Sequence, residues 1–378
     1  MSRPSIKDTL LIERDNLGLP GVGLEPTHPY RSRILSPLRI PFRHPGICGV
    51  SLMRLAGRVA SQTAPAATPR GRCPVLDSRP CPVIASPEVS FHPAKPIHPP
   101  MPSPGAQFRA ALQAEQPLQL VGAINAYAAL LAQRAGFRAL YLSGAGVANH
   151  SYGLPDTGQT DLADVAIDVR RITGRVNLPL LVDIDTGWDD PAAAVRTMAA
   201  AGAAAVHLED QVSAKLCGHL PGKHLVPTAD MVARVQAAVR GKPDRDFVVM
   251  ARTDAAGNEG LAAAIARAQA YVAAGADMLF AEALRTLADY RAFAAAIRVP
   301  VLANLTEFGQ TPYFTVDELR SAGIALVLYP LSASRAAAAA SLDVYTAIRR
   351  DGTQQSVVGK MQTRADLYAT LGYTPPKA

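Results

Sequence analysis

Short apolar segments recur along the chain after Met101, and their spacing constrains the fold more than any other feature. Each has the length of a buried strand, and alanine-rich stretches with helical spacing, such as residues 261–274, separate one segment from the next. Gly275 follows that stretch where a helix C-cap is expected. The segments are residues 120–124, 139–142, 179–182, 204–208, 247–251, 278–281, 299–303 and 325–328. Strand and helix alternating in this way predict an α/β fold, a (β/α)8 barrel of the TIM type.

Polar side chains follow all but the last of these predicted strands. In a parallel barrel the carboxyl ends of the strands form one face, and side chains there converge on the active site. A doubly wound sheet is the alternative, but it usually carries a glycine-rich phosphate loop after its first strand, and residues 122–127 (GAINAY) have no such pattern. We therefore expect one polar ring at the barrel face. Its members are Asn125, Ser143, Asp183, Asp185, Glu209, Arg252, Asp254, Glu282, Asn304 and Thr306.

Two carboxylates stand two residues apart after the third predicted strand. Asp183 and Asp185 face the same way if the strand continues through them, and Glu209 adds a carboxylate from the next strand. Mg²⁺ binds through one or two carboxylates and keeps its other positions for water and an anionic substrate. An isolated Asp-x-Asp is often only a solvated loop, but the third carboxylate favours a metal site. Zinc fits less well, because no C-x-x-C or similar ligand spacing is present.

The polar run LEDQVSAKLCGHLPGK at residues 208–223 brings a carboxylate, a lysine, a thiol and a histidine close together in sequence. Lys215 and His219 flank Cys217 and can tune its thiol for proton transfer, so we predict catalytic roles for these residues and for Glu209. A lone cysteine can also be a small buried hydrophobe. Covalent catalysis with a histidine base is the other alternative, but no Asp or Asn follows His219 at a suitable position.

Arginines supply the expected anion-binding groups of the core. Arg252, Arg335 and Arg364 are candidates for two-pronged binding of carboxylates, although Arg364 could equally lie on the surface. Three histidines are interpreted as structural: His150, His207 and His224.

The first hundred residues differ from the rest of the chain in composition. Residues 1–100 contain 13 Lys and Arg against 6 Asp and Glu, which accounts for the whole net charge of +7, and 17 of the 31 prolines. They show no sustained strand or helix period. We interpret residues 1–100 as a disordered extension or as sequence upstream of a true start at Met101, and residues 101–378 as the catalytic domain. A transit peptide fits less well because acidic residues occur early, and a nucleic-acid tail because the arginines are scattered.

Residues after Met101 include one cysteine and no apolar run long enough to span a bilayer. A disulfide within this part of the chain is therefore impossible. We expect a cytoplasmic protein with neither membrane nor nucleic acid as a partner.

Ten short strings carry a family resemblance across the core. They are FRAAL, LLAQRAGF, YLSGAGVA, GLPDTG, LLVDIDTG, HLEDQVSAKLCGH, FVVMARTDA, ANLTEFGQTP, LYPLSASRA and MQTRADLY. From about residue 101 to residue 373 the chain resembles the isocitrate lyase and phosphoenolpyruvate mutase superfamily and, within it, the 2-methylisocitrate lyases. The resemblance implies a barrel with C-terminal helices exchanged between subunits, a homotetramer and a Mg²⁺ cofactor. It also implies cleavage of a tricarboxylate, 2-methylisocitrate, to pyruvate and succinate in the methylcitrate cycle of propionate breakdown.

The same resemblance implies roles for individual residues. Residues 143–145 would hold the pyruvate-forming end of the substrate above a catalytic Tyr141, and Asp183 and Asp185 would hold the magnesium. Cys217 would deliver a proton to the carbon that becomes succinate. The implied substrate-binding residues are Ser143, Gly144, Ala145, Asp156, Cys217, Gly218, Arg252, Glu282, Asn304, Thr306, Arg335 and Arg364.

Isocitrate lyase, which gives glyoxylate and succinate, is the nearest alternative activity. It shares the KxCGH pattern but is typically longer than this core. A relative that cleaves phosphonopyruvate or oxaloacetate fits less well, because such proteins lack the KxCGH loop. A barrel kept as a non-enzymatic scaffold is disfavoured, because the charged ring residues are all present. Leu216 stands where the family usually carries a basic residue, which disfavours the thiolate form of Cys217.

Overall fold

The structure, a computed structural model, describes residues 102–213 and 222–376 of the 378-residue chain. The predictions for residues 1–100 lie outside the described residues. Within the described ranges, parallel strands form a closed barrel in the order β1 to β8, and β8 pairs with β1. The strands are β1 (Leu118–Gly122), β2 (Ala139–Leu142), β3 (Leu180–Asp183), β4 (Ala205–Glu209), β5 (Val248–Thr253), β6 (Met278–Ala281), β7 (Val301–Asn304) and β8 (Leu326–Tyr329). The predicted (β/α)8 barrel is confirmed, and every predicted strand overlaps an observed one.

Helices surround the barrel and connect its strands. In the described ranges they are α1 (Pro104–Ala114), α2 (Ala126–Arg134), α3 (Gly144–Gly146), α4 (Leu162–Thr173), α5 (Pro191–Ala200), α6 (Thr228–Arg240), α7 (Ala255–Asn258), α8 (Leu261–Ala273), α9 (Leu287–Ala296), α10 (Val316–Ser321), α11 (Ser332–Asp351) and α12 (Arg364–Leu371). A π-helical turn at Val147–Ser151 and a 3₁₀ helix at Gln355–Lys360 complete the helical structure. The predicted helix at residues 261–274 is α8, and Gly275 follows it with a φ of +107°, a conformation that favours glycine.

Short polar side chains at loop ends start several helices. Asn125, which the sequence places after the first strand, accepts a hydrogen bond from the backbone N–H of Ala128 at 2.9 Å and so caps α2. Asp161 and Asp164 form a capping box at the start of α4. These caps satisfy backbone donors that would otherwise be lost at the helix ends.

Two apolar layers make up the core. Alternate strand positions, such as Leu118 and Leu120 of β1, point into the barrel and pack in one cluster with Phe108 of α1. The positions between them, such as Leu140 and Leu142 of β2, pack against the surrounding helices in a second cluster. Because both faces of each strand are buried, the strands read as continuous apolar runs in the sequence.

The C-terminal helices differ in how they pack. α12 lies against α2, where Arg134 Nη1 donates to the Thr370 hydroxyl at 2.9 Å, and the Tyr127 hydroxyl of α2 donates to Oε1 of Gln362, just before α12, at 2.6 Å. α11 contains a run of five alanines at residues 336–340, and most of the residues of this helix are exposed. None of the helices in residues 102–213 and 222–376 combines the length and apolar character needed to cross a membrane.

Candidate active site

The predicted polar ring lies at the carboxyl ends of the barrel strands. Asp183, Glu209 and Asn304 are the last residues of β3, β4 and β7, and Arg252 is the last but one of β5. Glu282 follows β6 directly. In the strand register Glu209 stands opposite Arg252. Because all the strands are parallel, these side chains share one end of the barrel, as the sequence predicted.

The carboxylate pair Asp183 and Asp185 is held by the backbone around it. Asp183 Oδ1 accepts the N–H of Asp185 at 3.0 Å, and Asp183 Oδ2 accepts the N–H of Gly144 at 3.1 Å. A Cβ atom added at Gly144 would lie 2.9 Å from Asp185 Oδ1 and 3.2 Å from Asp183 Oδ2, so both carboxylates converge on the space beside this glycine. Asp185 has a φ of +50°, a strained conformation for a non-glycine residue that is common at functional sites.

This pair fits a magnesium ion. Both carboxylates are buried, and every ligand atom that they offer to a metal is an oxygen, which a hard cation prefers. In residues 102–213 and 222–376 no cluster of three or more His, Cys, Asp or Glu has metal-binding geometry. Mg²⁺ does not need such a cluster, since one or two carboxylates with water and substrate oxygens complete its octahedral shell. The residues present therefore match the cofactor expected from the sequence.

Tyr141 and His207 lie beside Asp183 in the barrel interior. The Tyr141 hydroxyl is 2.9 Å from His207 Nε2 and 3.4 Å from Asp183 Oδ2, and the Tyr141 and His207 rings are stacked with centroids 5.6 Å apart. Burial, reinforced by the negative charge of Asp183, raises the pKa of Tyr141 well above its ordinary value. The phenol is therefore neutral at physiological pH.

Arg252 is surrounded by carboxylates. Its guanidinium lies 3.0 Å from Glu209 Oε2, 3.1 Å from Asp254 Oδ2 and 3.6 Å from Glu282 Oε1. Burial alone would lower the pKa of Arg252, but the charges of Asp254, Glu209 and Glu282 outweigh it and raise that pKa well above its ordinary value. Asn304 Nδ2 donates to Glu282 Oε2 at 3.2 Å and extends the cluster to β7. A permanently charged arginine here can bind an anionic substrate.

An aromatic floor, defined here as the rings of Tyr141, His207 and Phe280, joins the two parts of the site. The His207 and Phe280 rings meet edge to face at 5.1 Å, and the guanidinium carbon of Arg252 lies 5.2 Å from the Phe280 centroid. Arg252 and the Asp183 carboxylate are therefore connected through packed side chains.

The other predicted site residues differ in burial. Ser143 and Thr306 are buried, whereas Ala145 and Asp156 are partly exposed. Arg335 is exposed, 3.5 Å from Glu307 Oε2, and its guanidinium lies 5.6 Å from the centre of the Phe308 ring. The exposed Arg364 is the first residue of α12. Four predicted residues lie outside the described residues: Lys215, Cys217, Gly218 and His219.

Three side chains that the structure brings into the site were not predicted to belong to it. Phe280 was read only as part of a buried strand, and His207 was interpreted as structural. The sequence did contain a signal that His207 belongs to the site, because His207 and Glu209 are two residues apart on β4 and so point to the same face of the strand. Lys223 belongs to the polar run, but the sequence assigned it no role. It contacts Asp254 at 2.8 Å, and no local sequence pattern predicts this contact.

Comparisons with known proteins identify relatives of this chain. A family model for phosphoenolpyruvate phosphomutase matches residues 108–349. The chain is 59% identical over 275 residues to the 2-methylisocitrate lyase of Escherichia coli (strain K12), covering 72% of this chain and 93% of that protein. The crystal structure of a 2,3-dimethylmalate lyase superimposes with a TM-score of 0.67 at 33% identity, covering 72% of this chain and 93% of that one. A phosphonopyruvate hydrolase crystallised with oxalate and Mg²⁺ gives a TM-score of 0.62 at 29% identity, covering 72% and 95%.

The described core thus shares its sequence and its barrel with enzymes that act on small carboxylic acids. The family match spans more than half of the chain, and the Escherichia coli relative is matched over nearly its full length. The chain belongs to the phosphoenolpyruvate mutase and isocitrate lyase superfamily, in the branch of the 2-methylisocitrate lyases.

Proposed function

We propose that the protein is a Mg²⁺-dependent lyase that cleaves 2-methylisocitrate to pyruvate and succinate. The observation that carries this assignment is its high identity to a 2-methylisocitrate lyase over nearly the whole of that relative. The polar residues at the barrel face supply groups that such a reaction needs: a carboxylate pair, a buried arginine and a neutral phenol.

The substrate carries three carboxylates, so its site has to offer positive charge and hydrogen-bond donors. Arg252 offers a buried guanidinium, and residues 143–145 would hold the pyruvate-forming end close to Asp183. Asn304 and Thr306 at the end of β7 would contact a second carboxylate, with Glu282 orienting Asn304. Arg335 and Arg364 would complete the binding of the remaining carboxylate.

Asp183 and Asp185 would hold Mg²⁺ at this site. When bound, the ion supplies positive charge that stabilises oxygen anions of the substrate. Gly144 lacks a side chain where one would crowd both carboxylates, so the chain leaves this position open. The magnesium seen with oxalate in a phosphonopyruvate hydrolase supports the same cofactor here.

As the carbon–carbon bond breaks, the substrate hydroxyl passes its proton to a general base of the site and becomes the carbonyl of pyruvate, and the electron pair of the broken bond stays on the carbon that becomes succinate. Arg252 would stabilise the negative charge that develops there, because its own charge is permanent and its position is fixed by carboxylates. Cys217 would then donate its thiol proton to that carbon, which completes succinate. Tyr141 would stay protonated and hydrogen-bonded beneath the pyruvate-forming end.

Product analysis tests this function. The purified full-length protein is incubated with 2-methylisocitrate and Mg²⁺, and we expect pyruvate and succinate in equal amounts, no product after chelation, and recovery when Mg²⁺ is restored. Isocitrate serves as the comparison substrate. A higher kcat/KM for isocitrate, with glyoxylate as product, would instead identify an isocitrate lyase, and no cleavage of either acid would refute the lyase function.

The protein is also proposed to form a homotetramer in which C-terminal helices are exchanged between subunits. α11 carries three large apolar side chains on one face, and Leu342, Tyr345 and Ile348 are 66%, 69% and 40% exposed. An apolar cavity of about 420 Å³ lies between the start of α11 and α2, lined by Tyr127, Leu131 and Ala337 among others. A soluble subunit gains by burying such a face against a second copy.

Light scattering after size exclusion tests the assembly. Tyr345→Asp should convert the tetramer to a smaller species, because a carboxylate would be buried without compensation in the helix contact. Asp343→Asn, which changes an exposed polar residue of the same helix, should leave the mass unchanged. A wild-type protein that elutes as a monomer at micromolar concentration would contradict the proposed exchange.

A further inference from the structure

The carboxylate of Asp254, which follows β5, joins two buried cations. Its Oδ2 accepts from Arg252 Nε at 3.1 Å, and its Oδ1 accepts from Arg252 Nη2 at 3.2 Å. The same Oδ1 also accepts from Lys223 Nζ at 2.8 Å. The side chains of Lys223 and Asp254 are 2% and 0% exposed, so this contact is almost entirely shielded from water.

The position of Lys223 is fixed by its own backbone and its neighbours. Asn258 Nδ2, at the end of α7, donates to the carbonyl of Lys223 at 2.7 Å. Just after Lys223, the His224 carbonyl accepts from the N–H of Val212 and the N–H of Val226 donates to the Asp210 carbonyl, both at 2.9 Å. The ammonium therefore reaches Asp254 from a segment paired to the residues that follow β4.

Charge balance explains why a second cation is needed here. Arg252 faces three carboxylates, Asp254, Glu209 and Glu282, which leaves an excess of negative charge where an anionic substrate would bind. Lys223 offsets part of that excess. Lys223 also donates a hydrogen bond to Oδ1 of Asp254, so this oxygen accepts from two cations and not from Arg252 Nη2 alone. An Asp254 bound only to Arg252 would compete more strongly with substrate for the same guanidinium donors.

We propose that Lys223 is a positioning residue that keeps the Arg252 guanidinium available for a substrate carboxylate by sharing the charge of Asp254. The inference rests on the proposed function, in which Arg252 binds one carboxylate of the substrate. It assigns to Lys223 an effect on anion affinity that acts through Asp254 rather than through contact with the substrate.

The test compares two lysine variants in the full-length, Mg²⁺-loaded protein. Lys223→Met removes the ammonium beside Arg252. Lys242→Met is the matched control, because Lys242 Nζ pairs with Asp277 Oδ2 at 2.9 Å at the opposite, amino-terminal end of β5 and β6. We expect Lys223→Met to raise the KM for 2-methylisocitrate and the Kd for succinate by about tenfold, and Lys242→Met to change neither by more than about twofold.

Conservative variants separate charge from packing. Lys223→Arg keeps the cation and should restore KM to within about threefold of the wild type. Lys223→Gln keeps a hydrogen-bond donor for Asp254 without the positive charge, so it should still raise KM. This variant replaces Lys223→Met if Lys223→Met does not fold. In a chain that already carries Asp254→Asn, the change Lys223→Met should add less than about twofold to KM, because the charge that Lys223 balances is gone.

Each outcome of these measurements decides the proposal. If Lys223→Met lowers the melting temperature but matches Lys242→Met in KM and in succinate affinity, Lys223 is only structural and the inference is wrong. If the wild type binds succinate but cleaves no 2-methylisocitrate, the proposed function fails while the succinate affinities of the variants still decide the role of Lys223. If the wild type binds no succinate, Arg252 does not serve as an anion site and the inference fails with it.

Discussion

Adding a single methyl group at Gly144 tests the proposed metal site directly. The Cβ of Gly144→Ala would lie 2.9 Å from Asp185 Oδ1 and 3.2 Å from Asp183 Oδ2, whereas ordinary contact begins at 3.4 Å. Asp185 therefore has to move by about half an ångström, and a metal site tolerates only about 0.2 Å in its ligand distances. The same shift would disturb the hydrogen bond from the Gly144 N–H to Asp183.

The expected result is weaker magnesium binding by a folded protein. Disturbing the groups that orient metal ligands typically costs about 10- to 100-fold in affinity, or about 1.4 to 2.7 kcal/mol. The crowding itself should lower the unfolding free energy by about 1 to 3 kcal/mol. Calorimetric titration with Mg²⁺ in the absence of substrate measures the first quantity, and denaturant unfolding measures the second.

Gly359→Ala provides the control, because a Cβ at Gly359 would meet no atom within 4 Å. Its magnesium affinity should equal that of the wild type. If Gly144→Ala also binds Mg²⁺ as tightly as the wild type, the two carboxylates do not hold the ion in the arrangement inferred from their positions, and the reasoning fails.

Three further substitutions test separate parts of the molecule. Cys217→Ser should lose nearly all cleavage while Mg²⁺ binding persists, because a hydroxyl is a much weaker acid than a thiol; a product assay beside a calorimetric titration checks this, and an unimpaired variant would refute the proton-donor role. Phe108→Ala should lower the unfolding free energy by about 3 to 5 kcal/mol, because the ring is fully buried in the barrel interior; a loss below about 1 kcal/mol in denaturant titrations would contradict that packing. Tyr271→Phe should cost about 1 to 3 kcal/mol by the same assay, because the buried Asp210 carboxylate loses a donor at 2.9 Å; unchanged stability would show that this hydrogen bond contributes little.

The barrel could be predicted from sequence because its strands are buried on both faces. Leu140, Leu142 and their neighbours form unbroken apolar runs, and such runs identify parallel strands well. The predicted ends of the strands were less accurate than the predicted strands themselves. Asp183 and Asn304 were placed beyond their strands, yet each belongs to one, because a polar side chain that faces the barrel opening does not interrupt the backbone ladder. In β3 and β7 a polar residue therefore indicates the functional site and not the end of the strand.

Contacts between distant residues account for what the sequence could not predict. Lys223 and Asp254 are 31 residues apart, and they meet only because the loops after β4 and β5 are neighbours in the folded barrel. Asn125 was not recognised as a helix cap for the opposite reason. Its role is local, as the cap of α2, and the helix-start rule for Asn would have identified it.

The aromatic floor limits how enzymes with this barrel can diversify. Phe280 contacts both His207 and Arg252. Replacing Phe280 with a smaller residue, to admit a bulkier acid, would therefore disturb both the Arg252 guanidinium and the His207 ring that packs on Tyr141 in a single substitution. Phe308, in the loop after β7, is 87% exposed, so a substitution there disturbs fewer buried contacts. Laboratory evolution towards new acids should therefore change exposed loop positions such as this one first, and any change in the floor should arise together with a compensating partner.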